Sequence, residues 1–212
     1  MILRLLFPQK CTLCRQLLTK NETDLCHSCR ENAPHLRRTK RNIPFIAHWT
    51  ALWYYKDDVR GSIHRFKFGN LRGYADVYAR LLGIQLAQQA SFDFCTWVPV
   101  SGLRRLKRGY DQSKLLAVAI GRELEIPVVR TLKKVRHTPP QSTLQNPSQR
   151  RANVLGAYRI STPNAIWGKR ILLLDDVVTT GATASECARI LLTAGAKEVF
   201  FAAIAAAEYD KK

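Results

Sequence analysis

Acidic residues, long apolar runs and internal repeats are all scarce in this sequence, and each shortage narrows what it can be. Only 16 of its 212 residues are Asp or Glu, against 34 Lys or Arg, for a formal charge of +18. A surface so poor in carboxylates attracts polyanions through phosphate contacts and counterion release, without choosing among sequences. The same excess also fits a solvated basic protein, or one whose cations serve a small phosphorylated ligand. The first apolar stretch, residues 1–7, is interrupted by Arg4 and stopped by Pro8. It is too short to span a membrane and carries no small-residue cleavage site, so a cytoplasmic protein is expected. No repeat or low-complexity tract is present. What remains is an ordinary globular chain, long enough for one full core and a small appendage.

The basic residues come in groups: Arg37-Arg38-Thr39-Lys40-Arg41, Arg104-Arg105-Leu106-Lys107-Arg108, Lys133-Lys134 with Arg136, and Arg150-Arg151. Four of the six cysteines form two pairs, Cys11-x2-Cys14 and Cys26-x2-Cys29, while Cys95 and Cys187 stand alone. Paired CxxC turns suit tetrahedral thiolate coordination of structural Zn²⁺ better than a disulfide framework. A redox pair or an iron–sulfur cluster has the same spacing. Four thiolates leave the metal no open position, so no catalysis is expected there. The two lone cysteines fall in a predicted strand and helix and read as core.

Residues 1–44 are expected to form this metal knuckle and a linker, the latter marked by Asn32, Pro34, Asn42, Pro44 and the Arg/Lys run. Residues 45–212 would form the main domain. Residues 49–55 are aromatic and β-branched and read as a strand whose rings pack in the core. Helical periodicity covers 58–68 and 74–89. Residues 93–100 form a short strand, Asp111 caps a helix running through Glu123, and Pro127 opens another strand. Residues 171–174, 182–193 and 198–206 alternate strand, helix and strand, with Gly195 closing the helix. Strands alternating with helices from residue 93 onward predict a mostly parallel α/β sheet with helices on both faces. Ligands of such sheets bind beyond the carboxyl ends of the strands. That rule points just past Val98 and just past Leu174.

Past Leu174 the chain reads Asp175-Asp176-Val177-Val178-Thr179-Thr180-Gly181-Ala182-Thr183. Two adjacent carboxylates at a buried strand end are unfavourable unless a cation or hydroxyl groups meet them. Ribose hydroxyls and Mg²⁺ are candidates. The loop offers backbone N–H groups, three Thr hydroxyls, a turn at Gly181 and a helix N-terminus, a cradle for one phosphate. A plain helix cap would need one such residue rather than the whole arrangement. Past Val98, the basic loop through Arg104, Arg105 and Arg108 would face the acids and receive a pyrophosphate; alternatively it is a surface charge run. Residues 131–155 are polar, basic and Pro-bearing. They read either as a lid whose Arg136, Gln141, Arg150 and Arg151 close on phosphates, or as an exposed spacer. His137 has no acid partner nearby in sequence and is not read as a general base.

The run from Ile171 to Thr183 resembles the signature of the type I phosphoribosyltransferases. That resemblance implies the type I fold and makes Asp175 and Asp176 the catalytic acids that meet the ribose hydroxyls of 5-phosphoribosyl-1-pyrophosphate. It gives the 5-phosphate to the loop from Val177 to Thr183, and the pyrophosphate with its Mg²⁺ to the loop of Arg104, Arg105 and Arg108. The likeness narrows to the ComF family through Arg108-Gly109-Tyr110-Asp111-Gln112, through the knuckle following Leu5-Leu6-Phe7-Pro8, and through Arg136-His137-Thr138-Pro139-Pro140-Gln141-Ser142-Thr143-Leu144. Ser101-Gly102 departs from the bulkier or more basic residues of many relatives.

Membership implies a role in natural competence and DNA uptake, with single-stranded DNA and competence-machinery proteins as partners. An active nucleobase-salvage transferase is the alternative, and a DNA-binding module with a vestigial pocket the third reading. The stretch Ala202-Ala203-Ile204-Ala205-Ala206-Ala207-Glu208, where an acceptor would be gripped, lacks an evident hydrogen-bonding set for a base.

Overall fold

The protein is represented by a computed structural model, which describes residues 8–36, 41–89, 91–138 and 146–208. In chain order the elements are α1 (His27–Asn32), β1 (His48–Tyr54), α2 (Asp57–Phe68), α3 (Tyr74–Leu86), β2 (Phe94–Trp97), α4 (Gly102–Arg108) and α5 (Gln112–Glu123). They continue with β3 (Leu132–Lys134), α6 (Pro147–Val154), β4 (Tyr158–Ile160), β5 (Arg170–Val178), α7 (Ala182–Thr193) and β6 (Glu198–Ala206). β1, β6, β5 and β2 lie side by side in that order, all parallel.

Alternation along the strands divides the core. Leu172 and Leu174 of β5 and Phe200, Ala202 and Ile204 of β6 face one cluster, with side chains from α2, α3 and α5. Ile171, Leu173, Val199, Phe201 and Ala203 face the other, with α7. Both faces are thus covered, as a parallel sheet requires. The parallel series begins earlier than residue 93, because β1 pairs with β6 from His48 opposite Phe200 to Tyr54 opposite Ala206. Ala51, Leu52 and Trp53 are buried, so the aromatic strand serves the core. The strand expected at Pro127 is reduced to one bridge, Val128 beside Cys95 on β2.

Two segments read as connections are structured. Residues 34–36 run along the outer edge of β1, with Tyr54 N–H on the Pro34 carbonyl at 2.7 Å and Leu36 N–H on the Leu52 carbonyl at 3.0 Å. Ile43 and Ile46 are buried. Edge pairing and apolar burial therefore replace the free linker. In 131–155, β3 pairs antiparallel with β4 just beyond the segment, and Asn146 caps α6 by accepting from Gln149 N–H at 2.8 Å.

The knuckle rests on α2 and α3 rather than standing apart. Ser62 Oγ and Arg65 both donate to the Thr12 carbonyl, at 2.7 and 3.1 Å, and Arg65 also donates to the Leu13 carbonyl. Arg80 grips Asp24 with two nitrogens, and Leu13, Leu25 and Cys26 join the core cluster of that face.

Candidate functional site

β5 is the second strand from the β2 edge, and it carries the acids within its last ordered residues. Asp175 and Asp176 lie inside the strand, not beyond it, and Val178 completes it. Successive strand residues point to opposite sides, so the two carboxylates find different partners. Asp175 Oδ1 accepts from Ser113 Oγ at 2.9 Å and from the Asp176 N–H at 2.8 Å. Asp176, only 8% exposed, forms an ion pair with Lys67 Nζ at 2.8 Å. Burial, reinforced by the neighbouring Asp176 charge, pushes the Asp175 carboxyl up to about 7; its hydrogen bonds and Lys67 pull the other way.

The loop after β5 turns at Gly181, whose φ of +82° is left-handed. A Cβ there would also lie 2.9 Å from Ile43 Cγ1, so the turn needs glycine both for its backbone and for the close approach of the 41–46 segment. Gly181 is itself the residue preceding α7, and it has no side chain to cap the helix. The Thr180 hydroxyl lies 3.4 Å from the Ala182 N–H. The helix thus starts with its backbone donors beside the acids, the geometry that favours an anion.

Opposite stands the segment after β2. The expected basic loop is a helix, α4, capped by Ser101 at its start and closed by Gly109 at φ +77°. Asp111 ties it down: its carboxylate caps α5 at Lys114 N–H, 3.1 Å, and accepts from Val100 N–H at 3.3 Å. Burial raises the Asp111 carboxyl above its ordinary range. The Tyr110 hydroxyl donates to the Phe66 carbonyl, joining this segment to α2.

These parts enclose a cleft of about 280 Å³ lined by Val177, Val178, Thr179, Gly181, Ala182 and Thr183, by both acids, and by Lys67, Arg104, Arg108 and Lys134. Arg104 donates to the Thr138 carbonyl at 2.8 Å, and Lys134 to the Thr138 hydroxyl at 2.8 Å. Burial, then the Arg104 charge, draws the Lys134 ammonium down to about 8. Arg104 is lowered by burial and by Arg108. Arg108 lies over the Phe68 ring at 4.9 Å and donates to Gln112 Oε1 at 2.8 Å. Tyr158 closes the floor, its hydroxyl raised well above the usual range by burial. The cleft is a buried acid pair ringed by cations, and it can hold a ligand that carries both hydroxyls and phosphates.

Not every expected residue converges here. Arg105 lines a neighbouring hollow instead. Arg136 donates to the carbonyls of Asn153 and Leu155, at 3.0 and 2.9 Å, bracing the two arms of the 131–155 segment. Arg150 and Arg151 lie on α6, from which Val154 alone reaches the cleft. Gln141 and the basic residues Arg37, Arg38 and Lys40 lie outside the described residues. Sequence reasoning missed Lys67, Lys134, Thr138, Ser113 and Tyr158 as site residues. Lys67 sits in the last turn of α2, where a cation serves the helix dipole and gives no sign of a distant carboxylate.

The second candidate centre is the knuckle. The sulfurs of Cys11, Cys14, Cys26 and Cys29 all lie within 4.8 Å of one another, and none is in a disulfide. Four free thiols so close fit one tetrahedral Zn²⁺. Cys95 and Cys187 are buried singly in the core, as expected. Among the described residues no helix is long and apolar enough to cross a membrane.

The phosphoribosyl transferase domain family matches residues 111–212, and the double zinc ribbon domain family matches residues 2–40. With the parallel strand order, these matches make the fold that of a type I phosphoribosyltransferase preceded by a zinc ribbon with four cysteines. The chain is 28% identical to competence protein F of Haemophilus influenzae, over 91% of this chain and 95% of that protein. It is 30% identical to the DNA utilization protein YhgH of Escherichia coli O6:H1, over 89% of this chain and 86% of that protein. Among solved structures, the glutamine phosphoribosylpyrophosphate amidotransferase of B. subtilis aligns with a TM-score of 0.43 and 21% identity. That alignment covers 66% of this chain and 30% of the amidotransferase, so the chain spans under a third of that enzyme.

Proposed function

The chain belongs to the ComF family, and from that premise we propose that it is a cytoplasmic competence protein, acting in DNA uptake and natural transformation. In this reading it binds 5-phosphoribosyl-1-pyrophosphate with Mg²⁺, and single-stranded DNA, and works with other competence-machinery proteins. In this reading residues 1–44 form its zinc-binding unit and the segment that joins it along the β1 edge, and residues 45–212 its phosphoribosyltransferase-like domain.

The observation that carries the proposal is the cleft itself: an acid pair, a glycine-turned helix start and four cations around one cavity. Asp175 and Asp176 would accept from the ribose hydroxyls. The Thr179–Thr183 loop would hold the 5-phosphate through backbone N–H groups. Arg104, Arg108 and Lys134 would meet the diphosphate, and Lys67 would keep Asp176 neutralised while the sugar enters. The 131–155 segment, braced by Arg136 and bearing Gln141, Arg150 and Arg151, would close over the phosphates and exclude water. Oxygen-only donors near a diphosphate fit Mg²⁺, which when bound offsets the charge of the departing pyrophosphate. Asp175 and Asp176 are the residues that would hold such an ion beside the sugar.

Turnover as a nucleobase-salvage enzyme is the competing reading. Ala202, Ala203, Ile204, Ala205 and Ala206 are all buried and offer a base no side-chain hydrogen bond. Titration calorimetry with phosphoribosyl pyrophosphate and Mg²⁺ should show binding that the Asp175→Asn, Asp176→Asn double variant loses. Equal affinity in the two proteins would refute the site. Pyrophosphate release on adding a nucleobase, absent in the double variant, would favour the salvage enzyme instead.

A further inference from the structure

On the other side of the Pro99–Val100 segment lies a second hollow of about 480 Å³ that shares Pro99, Val100 and Lys134 with the cleft. Exposed Arg105, Lys114 and Arg130 line it, and Lys114 Nζ lies 6.0 Å from the centroid of the Trp97 ring on its wall. Its one lining carboxylate, Asp111, is already engaged by two backbone N–H groups. Beside it, on α4, Leu103 and Leu106 are 66% and 82% exposed.

Several surface cations are matched by a carboxylate, and among the described residues these are not. Elsewhere Arg80 pairs with Asp24, Arg122 with Asp76, Lys169 with Asp93, Arg170 with Glu198 and Arg189 with Glu186. Among the described residues, Arg105, Lys114 and Arg130 form no ion pair with a carboxylate. They also come from three separate places: α4, α5 and the turn before β3. The 179–183 loop lies within one turn at the start of α7, a span suited to a single phosphate. Here the charges are spread along a hollow, as successive phosphates of a chain require.

We propose that this hollow is the track of a single DNA strand, occupied alongside the sugar-diphosphate cleft rather than in competition with it. The proposal rests on the single-stranded DNA binding put forward above and gives it a place. Unpaired bases can lie against Leu103 and Leu106 while phosphates meet the cations; a duplex keeps its base faces stacked and cannot use such apolar side chains in this way. Lys134, common to both cavities, makes the two sites neighbours.

The test is fluorescence anisotropy of a labelled oligothymidylate across a salt series. The Lys114→Glu, Arg130→Glu pair is compared with Arg60→Glu, Lys197→Glu, an exposed pair elsewhere with the same change in net charge. The hollow pair should lose about tenfold or more in affinity at low salt. Its log–log salt slope should flatten by about 1.4, which is about 0.7 for each phosphate contact removed. The control pair should change both far less, and phosphoribosyl pyrophosphate should bind all three proteins equally. Equal weakening by both pairs would mean that net charge alone holds the strand, which overturns the track. Loss of phosphoribosyl pyrophosphate affinity in the hollow pair would overturn separate occupancy. No binding of the oligonucleotide by the unmodified protein would remove the DNA reading itself and leave the donor site standing. Should charge reversal lower the melting temperature, Lys114→Gln with Arg130→Gln gives the same comparison.

Discussion

Asp175 gives the sharpest physical test, because its burial costs stability in the ligand-free protein. Its carboxyl moves from the ordinary 3.8 to about 7, chiefly through loss of water and secondarily through the charge on Asp176. A raised carboxyl binds a proton in the folded state that it releases in the unfolded one. The stability it lends is therefore complete below 3.8, declines as pH rises, and is gone once pH passes about 7. The interval corresponds to a ceiling of about 4 kcal/mol. Water entering the open cleft lowers that to about 1–2 kcal/mol. Asp175→Asn keeps an acceptor for Ser113 and removes the charge. At pH 8 the ligand-free variant should melt about 2–8 °C above the parent, at about 2–4 °C per kcal/mol for a chain this size. By pH 4 the two melting curves should coincide. Thermal melts from pH 4 to 8.5 measure the difference, in which titrations common to both proteins cancel. Parallel melting temperatures at every pH, or a less stable variant at pH 8, would refute the reasoning. In the same series Mg²⁺ with phosphoribosyl pyrophosphate should raise the melting temperature of the parent only.

Three further outcomes follow from particular contacts. Lys67→Met leaves Asp176 without its cation and should cost about 1–3 kcal/mol at neutral pH. In a double-variant cycle with Asp176→Asn, measured by denaturant unfolding, that cost should largely vanish. Gly181→Ala forces a side chain into a left-handed turn against Ile43 and should cost about 1–3 kcal/mol and weaken ligand binding. Adding Ile43→Ala should restore only the steric part in thermal melts. Cys14→Ser with Cys29→Ser should abolish stoichiometric zinc by metal analysis and open residues 8–36 to protease. Because α2 hangs on the Thr12 and Leu13 carbonyls and carries Lys67, phosphoribosyl pyrophosphate affinity should fall a few-fold as well.

The acid pair and its loop were legible because their chemistry is contiguous in the chain. A strand, two carboxylates, hydroxyls and a glycine follow one another, and the fold has only to bend them. The two CxxC turns were legible for the same reason. What escaped reading depends on distant residues. Lys67 meets Asp176 from α2, more than a hundred residues away in the chain, and nothing near either residue announces the other. Residues 34–36 and Ile43 read as linker because their local composition is polar and Pro-bearing. The burial of Leu36 and Ile43 comes from the β1 edge and from the gap behind Gly181. The basic run at 104–108 read as a loop because of its charge density. Ser101 and Gly109 supply the helix start and stop that charge obscures. The acids read as lying past the strand, whereas pairing of Asp175 with Ala203 and of Val178 with Ala206 continues β5 through them.

The cationic surface, 34 Lys and Arg behind a net charge of +18, is therefore not one property. Part of it is spent on carboxylates, as in Arg80 with Asp24 or Arg189 with Glu186, and exerts little field on an approaching polyanion. A second part, Lys67, Arg104, Arg108 and Lys134, is turned inward on the acid cleft, where burial already lowers Arg104 and Lys134. An anion arriving there restores the protonated Lys134 that burial disfavours, so its binding should take up protons near pH 8. A third part, which includes Arg105, Lys114 and Arg130 around the hollow, is exposed and forms no ion pair with a carboxylate among the described residues, and a strand of phosphates can use it at long range. Composition counts all three alike. Only the pairing of each cation with, or its distance from, a carboxylate shows which of them a nucleic acid would meet first.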